Sequence, residues 1–395
     1  MRARLGGWRG MAGRHNITRR DAVALLASGS ALALAGCSYL PTSIMSQTRT
    51  TDVPFNAAVF YYSYEDSYIG SVREALSADL TSAGIPYHEY DSGNNQSTQD
   101  TQIDQAIQAG ASVLVVNVVT SGNAEISDAI CRKALGAKIP VVFFNRPVEG
   151  VGDEGAILDY YDDVAFVGTD PAEAGHLQGQ MIGTYLAQHF DECDLNRDGS
   201  ISYVLFKGQA SNPEAIYRTL YSVDDANTIL EANGYPDLAY FEPDSIDKFQ
   251  LDLTGSWSAS SVKDYMENDL IHYNDENDNM IELVIANSDA MAGGAISALQ
   301  AHGYNTGEPN SPTIPVFGVD ATDAGRQLIA QGVMTGTVAQ DAAGMAGCVC
   351  SMVQNARDGH DLLEGLDDYA RDNVNHLQRK VYIPYSIYNP GDSAS

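Results

Sequence analysis

The sequence has few basic residues and no long apolar run. Its 395 residues hold 22 Lys and Arg against 52 Asp and Glu, so the formal net charge is −30. Such an excess of negative charge repels phosphates, which argues against a nucleic-acid partner. No stretch of 18 or more apolar residues occurs, so the sequence predicts no helix that spans a bilayer.

Cysteine is also scarce, and its spacing matches no zinc motif. Cys37 lies near the N-terminus, and the other four are Cys131, Cys193, Cys348 and Cys350. Export would allow them to form disulfides, but Cys348 and Cys350 are too close for an unstrained bridge to each other. We therefore expect mostly buried free thiols, with pairing among the four left open.

The N-terminal segment is basic, unlike the rest of the chain. Residues 1–36 contain six Arg and a single acid. Within them, Ala22–Ala35 is long enough for the hydrophobic region of a signal peptide and too short to span a membrane. The pair Arg19-Arg20 before it resembles a twin-arginine export signal, although the residues that follow fit it only loosely. We expect an exported protein, by either the twin-arginine or the general route.

The segment Leu34-Ala35-Gly36-Cys37 resembles the lipobox of bacterial lipoproteins. In that family the cysteine thiol is acylated and the preceding peptide is removed. The resemblance implies a lipoprotein signal peptide at 1–36, a lipid on Cys37 and a tether at 37–53, so the chain would be anchored to the outer face of the cell membrane. The alternative is an ordinary signal peptide, and the start at Met1 or Met11 stays open.

The rest of the chain alternates short β-branched runs with helical segments. Hydrophobic residues make up 44% of the sequence and aromatic residues 9%, enough for packed cores, and the length predicts two domains. Runs such as Val113–Val119 and Leu283–Ala286 are typical of strands buried on both faces, and Ser71–Ala83 is typical of a connecting helix. The pattern predicts an α/β fold with doubly wound parallel sheets.

One strand pattern occurs twice. Gly136–Asn145 and Ser311–Asp320 each enter a strand through Ile-Pro and end it with a polar side chain. Ligands of open α/β sheets bind beyond the carboxyl ends of the strands. Two such ends far apart in the sequence therefore predict two similar lobes that face one ligand.

The segment 194–202 has the side-chain spacing of a calcium loop. Oxygen-bearing side chains occupy loop positions 1, 3, 5 and 9, glycine occupies position 6, and position 7 can ligate through its carbonyl. An EF-hand would carry Glu at position 12, where this chain has Leu205, and the residues that follow the loop are typical of a strand. The missing carboxylate must come from elsewhere, and the alternative is an Asx-rich surface turn.

Four long motifs resemble the periplasmic galactose/glucose-binding proteins, the substrate-binding components of sugar ABC transporters. They are DLNRDGSISYVLFKG, IPVVFFN, IELVIANSDAMAGGAISAL and IPVFGVDA, and the resemblance runs from about Asn56 to Tyr388. It implies the periplasmic binding protein type I fold, in which two Rossmann-like lobes with parallel sheets are joined by a three-segment hinge and close on a sugar. The N-terminal lobe is expected at 54–168 plus 341–378, and the C-terminal lobe at 169–340 plus 379–391.

The resemblance also implies which residues bind the sugar and a structural Ca²⁺. The sugar-binding positions match Asp66, Tyr68, Asn145, Asn212, Glu214, Arg218, Trp257, Ser288, Asp320 and Gln340. The calcium positions match Asp194, Asn196, Asp198, Ser200, Ser202 and Glu282, with Glu282 as the distant bidentate carboxylate. The residue type departs from the family's at Tyr68, Asn212, Glu214, Ser288 and Gln340, which leaves the exact sugar open. The residue types themselves suit a sugar, because carboxylates, amides and Arg bond hydroxyls and aromatic rings stack on pyranose faces.

Three functions are compatible with these features. The first is a lipid-anchored solute-binding protein that delivers a monosaccharide, galactose-like or glucose-like, to an ABC permease. The second is a sugar-sensing protein that passes its ligand state to a membrane receptor. The third is a secreted calcium-dependent glycoside hydrolase, which would need two facing carboxylates. No Ser-His-Asp elbow, HExxH or phosphate loop is present. We therefore expect a monomeric binding protein rather than an enzyme.

Overall fold

A computed structural model describes residues 54–277, 279–309, 311–372 and 376–390. The predicted signal peptide at 1–36 and the whole predicted tether at 37–53, including Cys37, lie outside the described residues. The first half of the described chain builds one lobe. Its elements in order are β1 (Ala57–Tyr61), α1 (Ser67–Ser82), β2 (Tyr87–Asp91), α2 (Gln96–Gln108), β3 (Val113–Val116), α3 (Ala124–Ala137), β4 (Val141–Phe144) and β5 (Val164–Gly168).

The chain then builds the second lobe and returns to the first. The next elements are α4 (Pro171–Cys193), β6 (Ser202–Lys207), α5 (Pro213–Ala232), β7 (Ala239–Tyr240), β8 (Gln250–Leu251), α6 (Ala259–His272), β9 (Leu283–Ala286), α7 (Asp289–Ala301), β10 (Val316–Asp320), α8 (Asp323–Ala330) and β11 (Gly336–Gln340). The last are α9 (Ala342–Asp358), β12 (Ala370–Arg371), β13 (Lys380–Tyr382) and β14 (Tyr385–Ile387).

Two separate sheets form the centres of the lobes. The first has the order β12-β13-β5-β4-β3-β1-β2, and the second has the order β14-β11-β10-β9-β6-β7, with β8 also pairing with β6. Pairing is parallel except between β12 and β13 and between β11 and β14. The central strands are buried along their whole length, because helices cover both faces. The predicted α/β class with two parallel-dominated sheets is confirmed.

The chain crosses between the lobes three times. The first crossing lies between β5 and α4, and the second between β11 and α9. The third lies at Ile383–Pro384, between β13 of the first sheet and β14 of the second. Residues 379–382, which we assigned to the second lobe, therefore belong to the first, since Lys380 to Tyr382 pair in parallel with Phe166 to Gly168. Pro384 lacks an N–H for the ladder and marks the break between the two strands.

Four cysteines lie among the described residues, and all are buried free thiols. They are Cys131, Cys193, Cys348 and Cys350. Burial raises the pKa of three of them, Cys131, Cys193 and Cys348, to about 12. The expectation of free thiols is confirmed, and these cysteines pack as small apolar side chains.

Candidate functional site

A cavity of about 290 Å³ lies between the two lobes, at the carboxyl ends of their strands. Every one of the ten residues predicted to bind sugar lines it. They are Asp66, Tyr68, Asn145, Asn212, Glu214, Arg218, Trp257, Ser288, Asp320 and Gln340. This volume lies just below the range of about 300–1,000 Å³ that is usual for ligand pockets, so the cavity suits one small molecule.

Three of these residues are also N-caps of helices that point at the cavity. The Asp66 carboxylate accepts the Ile69 N–H of α1 at 2.9 Å, Asn212 caps α5, and Ser288 caps α7. A capping side chain holds its position through the helix backbone. Such a residue can therefore cap its helix and also contact a ligand.

Three other lining residues have left-handed backbone. The φ angles are +60° at Asn145, +57° at Trp257 and +116° at Asp320. Non-glycine residues with such angles store strain and concentrate at functional sites. Asn145 directly follows β4, and Asp320 ends β10, so the unusual backbone directs both polar side chains at the sheet edge into the cleft.

The two aromatic residues of the cavity are held by packing. Trp257 is 9% exposed, and its ring covers Gly208 so closely that a Cβ at this glycine would overlap it. Tyr68 is 5% exposed and directs its hydroxyl at the sulfur of Met345, 3.8 Å away. Both rings are therefore fixed before any ligand arrives, and both border the cavity.

Arg218 is the central cation of the site. Its Nη1 donates to the Asn287 carbonyl at 2.7 Å and lies 3.6 Å from Asp320 Oδ1, while its Nη2 donates to Glu214 at 3.1 Å and to the Tyr385 hydroxyl at 2.6 Å. Burial alone would lower the pKa of Arg218, but the facing Tyr385, Glu214 and Asp320 outweigh burial and raise it. Burial raises the pKa of Asp320, and Arg218 opposes that rise.

Two buried donors at the cavity have no hydrogen-bond partner among the described residues. They are Arg218 Nε and Gln340 Nε2. A buried donor without a partner costs roughly 1–3 kcal/mol, so native structures keep few of them. Both donors suit the oxygen of a polar ligand.

Arg146, which was not among the residues predicted from the sequence, also lines the cavity. Its guanidinium donates to the carbonyls of Val118 and Val119 at 2.7 and 2.8 Å, lies 4.0 Å above the Tyr62 ring, and reaches Gln209 of the second lobe at 2.7 Å. Its place directly after Asn145, at the end of a strand, was the available signal. The cavity is further lined by Glu65, Ser67, Ser256, Ser258, Ala259, Ser260 and Ala290.

The loop predicted to bind calcium connects α4 to β6, so it leads into a strand as expected. Asp194 accepts the Asp198 N–H at 3.1 Å and the Gly199 N–H at 3.0 Å. Asn196 Oδ1 accepts the same Asp198 N–H at 2.9 Å, and Asp198 accepts the Ser200 N–H at 2.9 Å. The side-chain oxygens of positions 1 and 3 thus converge on one point of the loop.

Glu282, which immediately precedes β9, reaches this loop from the neighbouring strand. One carboxylate oxygen accepts the N–H groups of Leu195 and Asn196 at 2.7 and 3.1 Å, and the other accepts that of Ser202 at 3.1 Å. Burial raises the pKa of Glu282, although these three N–H groups oppose the rise. The Ser202 hydroxyl donates to the Met280 carbonyl.

The donor set of the loop fits a hard cation, because all its members are oxygens. Their present contacts are mainly to the backbone of the loop itself. Within the described ranges, no three His, Cys, Asp or Glu side chains are grouped closely enough to hold a metal ion. Likewise, none of the described helices is both long and apolar enough to cross a membrane.

Residues 57–361 match the periplasmic binding protein domain family. The chain belongs to this family. It is 34% identical over 329 residues to the D-galactose/methyl-galactoside binding periplasmic protein of Haemophilus influenzae, covering 83% of this chain and 87% of the relative. It is 26% identical over 271 residues to the D-xylose-binding periplasmic protein of Escherichia coli, covering 67% of each. The family and these relatives are binding proteins, which confirms the expectation that the chain is not an enzyme.

Solved structures share the fold of this family member. An ABC transporter solute-binding protein of Actinobacillus succinogenes with bound D-allose superposes with a TM-score of 0.64 at 14% identity, over 85% of this chain and 98% of that one. A solute-binding protein of Clostridium phytofermentans with bound β-D-glucose gives 0.63 at 17% identity, over 84% and 93%. At these identities the similarity shows the fold alone.

Proposed function

We propose that this chain is the solute-binding protein of an ABC sugar transporter and binds one monosaccharide in the cavity between its lobes. The observation that carries the proposal is that ten residues, predicted from separate parts of the sequence, line one cavity. The relatives support the same class of ligand, since they are described as galactose-binding and xylose-binding proteins.

The lining chemistry matches a sugar. Asp66, Asn145 and Asp320 provide acceptors for hydroxyls, while the unpartnered Arg218 Nε and Gln340 Nε2 provide donors. The ring of Trp257 offers a flat apolar surface for the C–H face of a pyranose. A sugar alternates hydroxyls around an apolar ring, so it uses both kinds of surface at once.

Calorimetric titration with D-galactose, D-glucose, D-xylose and myo-inositol tests this proposal. We expect one site per chain and at least one monosaccharide bound much more tightly than the rest. Scattering measured with that sugar should show a more compact particle, because the contacts come from both lobes. If none of the sugars gives heat or stabilises the protein, the proposal is wrong.

We further propose a structural Ca²⁺ held by Asp194, Asn196, Asp198, Ser200, Ser202 and Glu282. The support is that Glu282 contacts both ends of the loop, at Asn196 and Ser202, so that oxygen ligands from two elements come together. When bound, the ion would offset the negative charges of Asp194, Asp198 and Glu282. Because Ser202 donates its hydroxyl to Met280, we expect it to contribute through a water.

We also propose that the mature protein begins at a lipidated Cys37 and delivers its sugar to a permease in the same membrane. The support is the lipobox-like sequence behind a basic leader. Membrane fractionation of cells that produce the wild type and Cys37→Ala tests this. We expect the wild type to stay with membranes in the absence of detergent and the variant to be released. Release of both would contradict the lipid anchor.

A further inference from the structure

Glu214 and Arg218 on α5 contact side chains from all three crossings between the lobes. Thr169, in the first crossing, donates its hydroxyl to Glu214 Oε1 at 2.6 Å. Gln340, at the second, accepts from Arg218 Nη2 at 3.5 Å. Tyr385, directly after the third, donates to Glu214 Oε2 at 2.8 Å and accepts from Arg218 Nη2 at 2.6 Å.

Tyr385 bonds Arg218 directly, and unlike Gln340 it does not border the cavity. Its side chain is 5% exposed, and it is absent from the lining of the cavity that holds the proposed sugar site. Its hydroxyl has one hydrogen, which it gives to Glu214, and a lone pair that accepts from Arg218. Burial raises the pKa of Tyr385, so the hydroxyl keeps its proton at neutral pH. Both bonds involve a charged partner, which makes them strong.

We propose that Tyr385 is a positioning residue for sugar binding, because its hydroxyl orients the Arg218 guanidinium and ties it to the third hinge crossing. The inference rests on the proposed function of the cavity. Its consequence is that the direction of Arg218 Nε depends on the geometry of the hinge. The Arg218 contact to the ligand then forms together with the closure of the lobes, and not independently of it.

Tyr385→Phe tests the proposal, because it removes one hydroxyl and leaves the ring in place. Tyr382→Phe is the matched control, since Tyr382 lies just before the same crossing and bonds Asp372 instead. We expect Tyr385→Phe to lower the affinity for the monosaccharide that the wild type binds best by about tenfold, on the scale of a lost charged hydrogen bond. Tyr382→Phe should change that affinity less than about twofold, which is the range of a surface-like substitution.

Affinity and melting temperature together separate positioning from simple stabilisation. A structural role predicts a lower melting temperature with unchanged affinity in the folded protein, and that result would overturn the inference. If Tyr385→Phe does not fold, Thr169→Val removes the hydroxyl that holds the other oxygen of Glu214, the carboxylate that accepts the Tyr385 hydroxyl. It should lower the affinity in the same direction by a smaller factor, and unchanged affinity there would also overturn the inference. Wild-type protein that binds no monosaccharide would instead refute the proposed function.

Discussion

The interlobe cavity and the loop at 194–202 both gather carboxylates and amides, but they partner them differently. In the cavity, the acids Glu214 and Asp320 face the buried cation of Arg218, and side chains from distant elements bond one another. In the loop, Asp194 and Glu282 accept N–H groups of the backbone that carries the loop. The cavity therefore keeps side-chain donors without partners, whereas the carboxylate oxygens at the loop accept N–H groups of the loop backbone.

This difference indicates what each region needs. Each lobe holds its own cavity side chains in place and presents free donors, so a ligand gains contacts as the lobes close without reorganising the side chains of either lobe. The loop has oxygen donors of the right kind, and the negative charge of Asp194 acts on Glu282, opposed only by backbone N–H groups. A cation would relieve that repulsion. We therefore expect removal of the cation to lower the stability of the protein, and substitutions in the cavity to lower its affinity for sugar.

The largest effect should follow from removing Arg218, the central cation of the cavity. Arg218→Met leaves Glu214 and Asp320 buried without their counter-charge, so sugar affinity should fall at least about a hundredfold, or about 3 kcal/mol. Arg132→Met is the control, because Arg132 is an exposed partner of Asp128 on α3. Calorimetry on both variants measures the effect. An Arg218→Met protein that binds within about threefold of the wild type would place the ligand elsewhere.

Chelation of a bound Ca²⁺ should affect the loop and leave the cavity almost unchanged. Removal of a bound Ca²⁺ lowers the free energy of unfolding by about 2.7 kcal/mol at a hundredfold excess of metal over its dissociation constant, while sugar affinity changes less. Asp198→Asn should abolish the difference between melts with and without chelator, because the amide oxygen still accepts the Ser200 N–H but the charge is gone. Elemental analysis that finds no calcium, with identical melts, would show the loop to be only a polar turn.

Trp257→Ala should weaken sugar binding by roughly 1–3 kcal/mol, the scale of a lost buried aromatic contact. Trp257→Phe keeps a flat apolar face and should lose less. Titration of both variants with the same sugar measures the difference. If both bind like the wild type, the ring serves only to cover Gly208, and the apolar half of the proposed recognition is wrong.

The sequence predicted those features that depend on a local run of residues or on a family motif. Strands such as Leu283–Ala286 followed from β-branched runs alone, and the cavity residues followed from their match to family motifs. Arg146 was missed because its role depends on Gln209, which is 63 positions away in the chain and belongs to the other lobe. The third crossing was misplaced because Val381 reads as a strand residue in either sheet, and only its pairing with Val167 decides between them.

Asp269 on α6, a half-buried acid, extends the comparison to an acid with neither a facing cation nor a set of N–H donors among the described residues. Its carboxylate accepts one hydrogen bond, from the Gln250 amide at 2.9 Å. Burial raises the pKa of Asp269 to about 7, and the Gln250 hydrogen bond only partly opposes it. An acid whose pKa is raised by folding favours the folded state only while it keeps its proton. Its contribution is therefore full below the unfolded pKa of about 3.9 and is lost as the pH rises to about 7.

Asn is neutral at every pH, so Asp269→Asn should increase the stability of the protein by an amount that depends on pH. We expect little change in the melting temperature at pH near 4 and a stabilisation of about 1–2 kcal/mol near pH 8, a reduced figure because Asp269 is partly exposed. Asp264→Asn on the exposed side of the same helix is the control and should be equal to the wild type at both pH values. Thermal melts across this range measure the difference. A loss of stability that is the same at both pH values would mean that Asp269 stays ionised and is satisfied by Gln250, as the loop carboxylates are satisfied by their N–H groups.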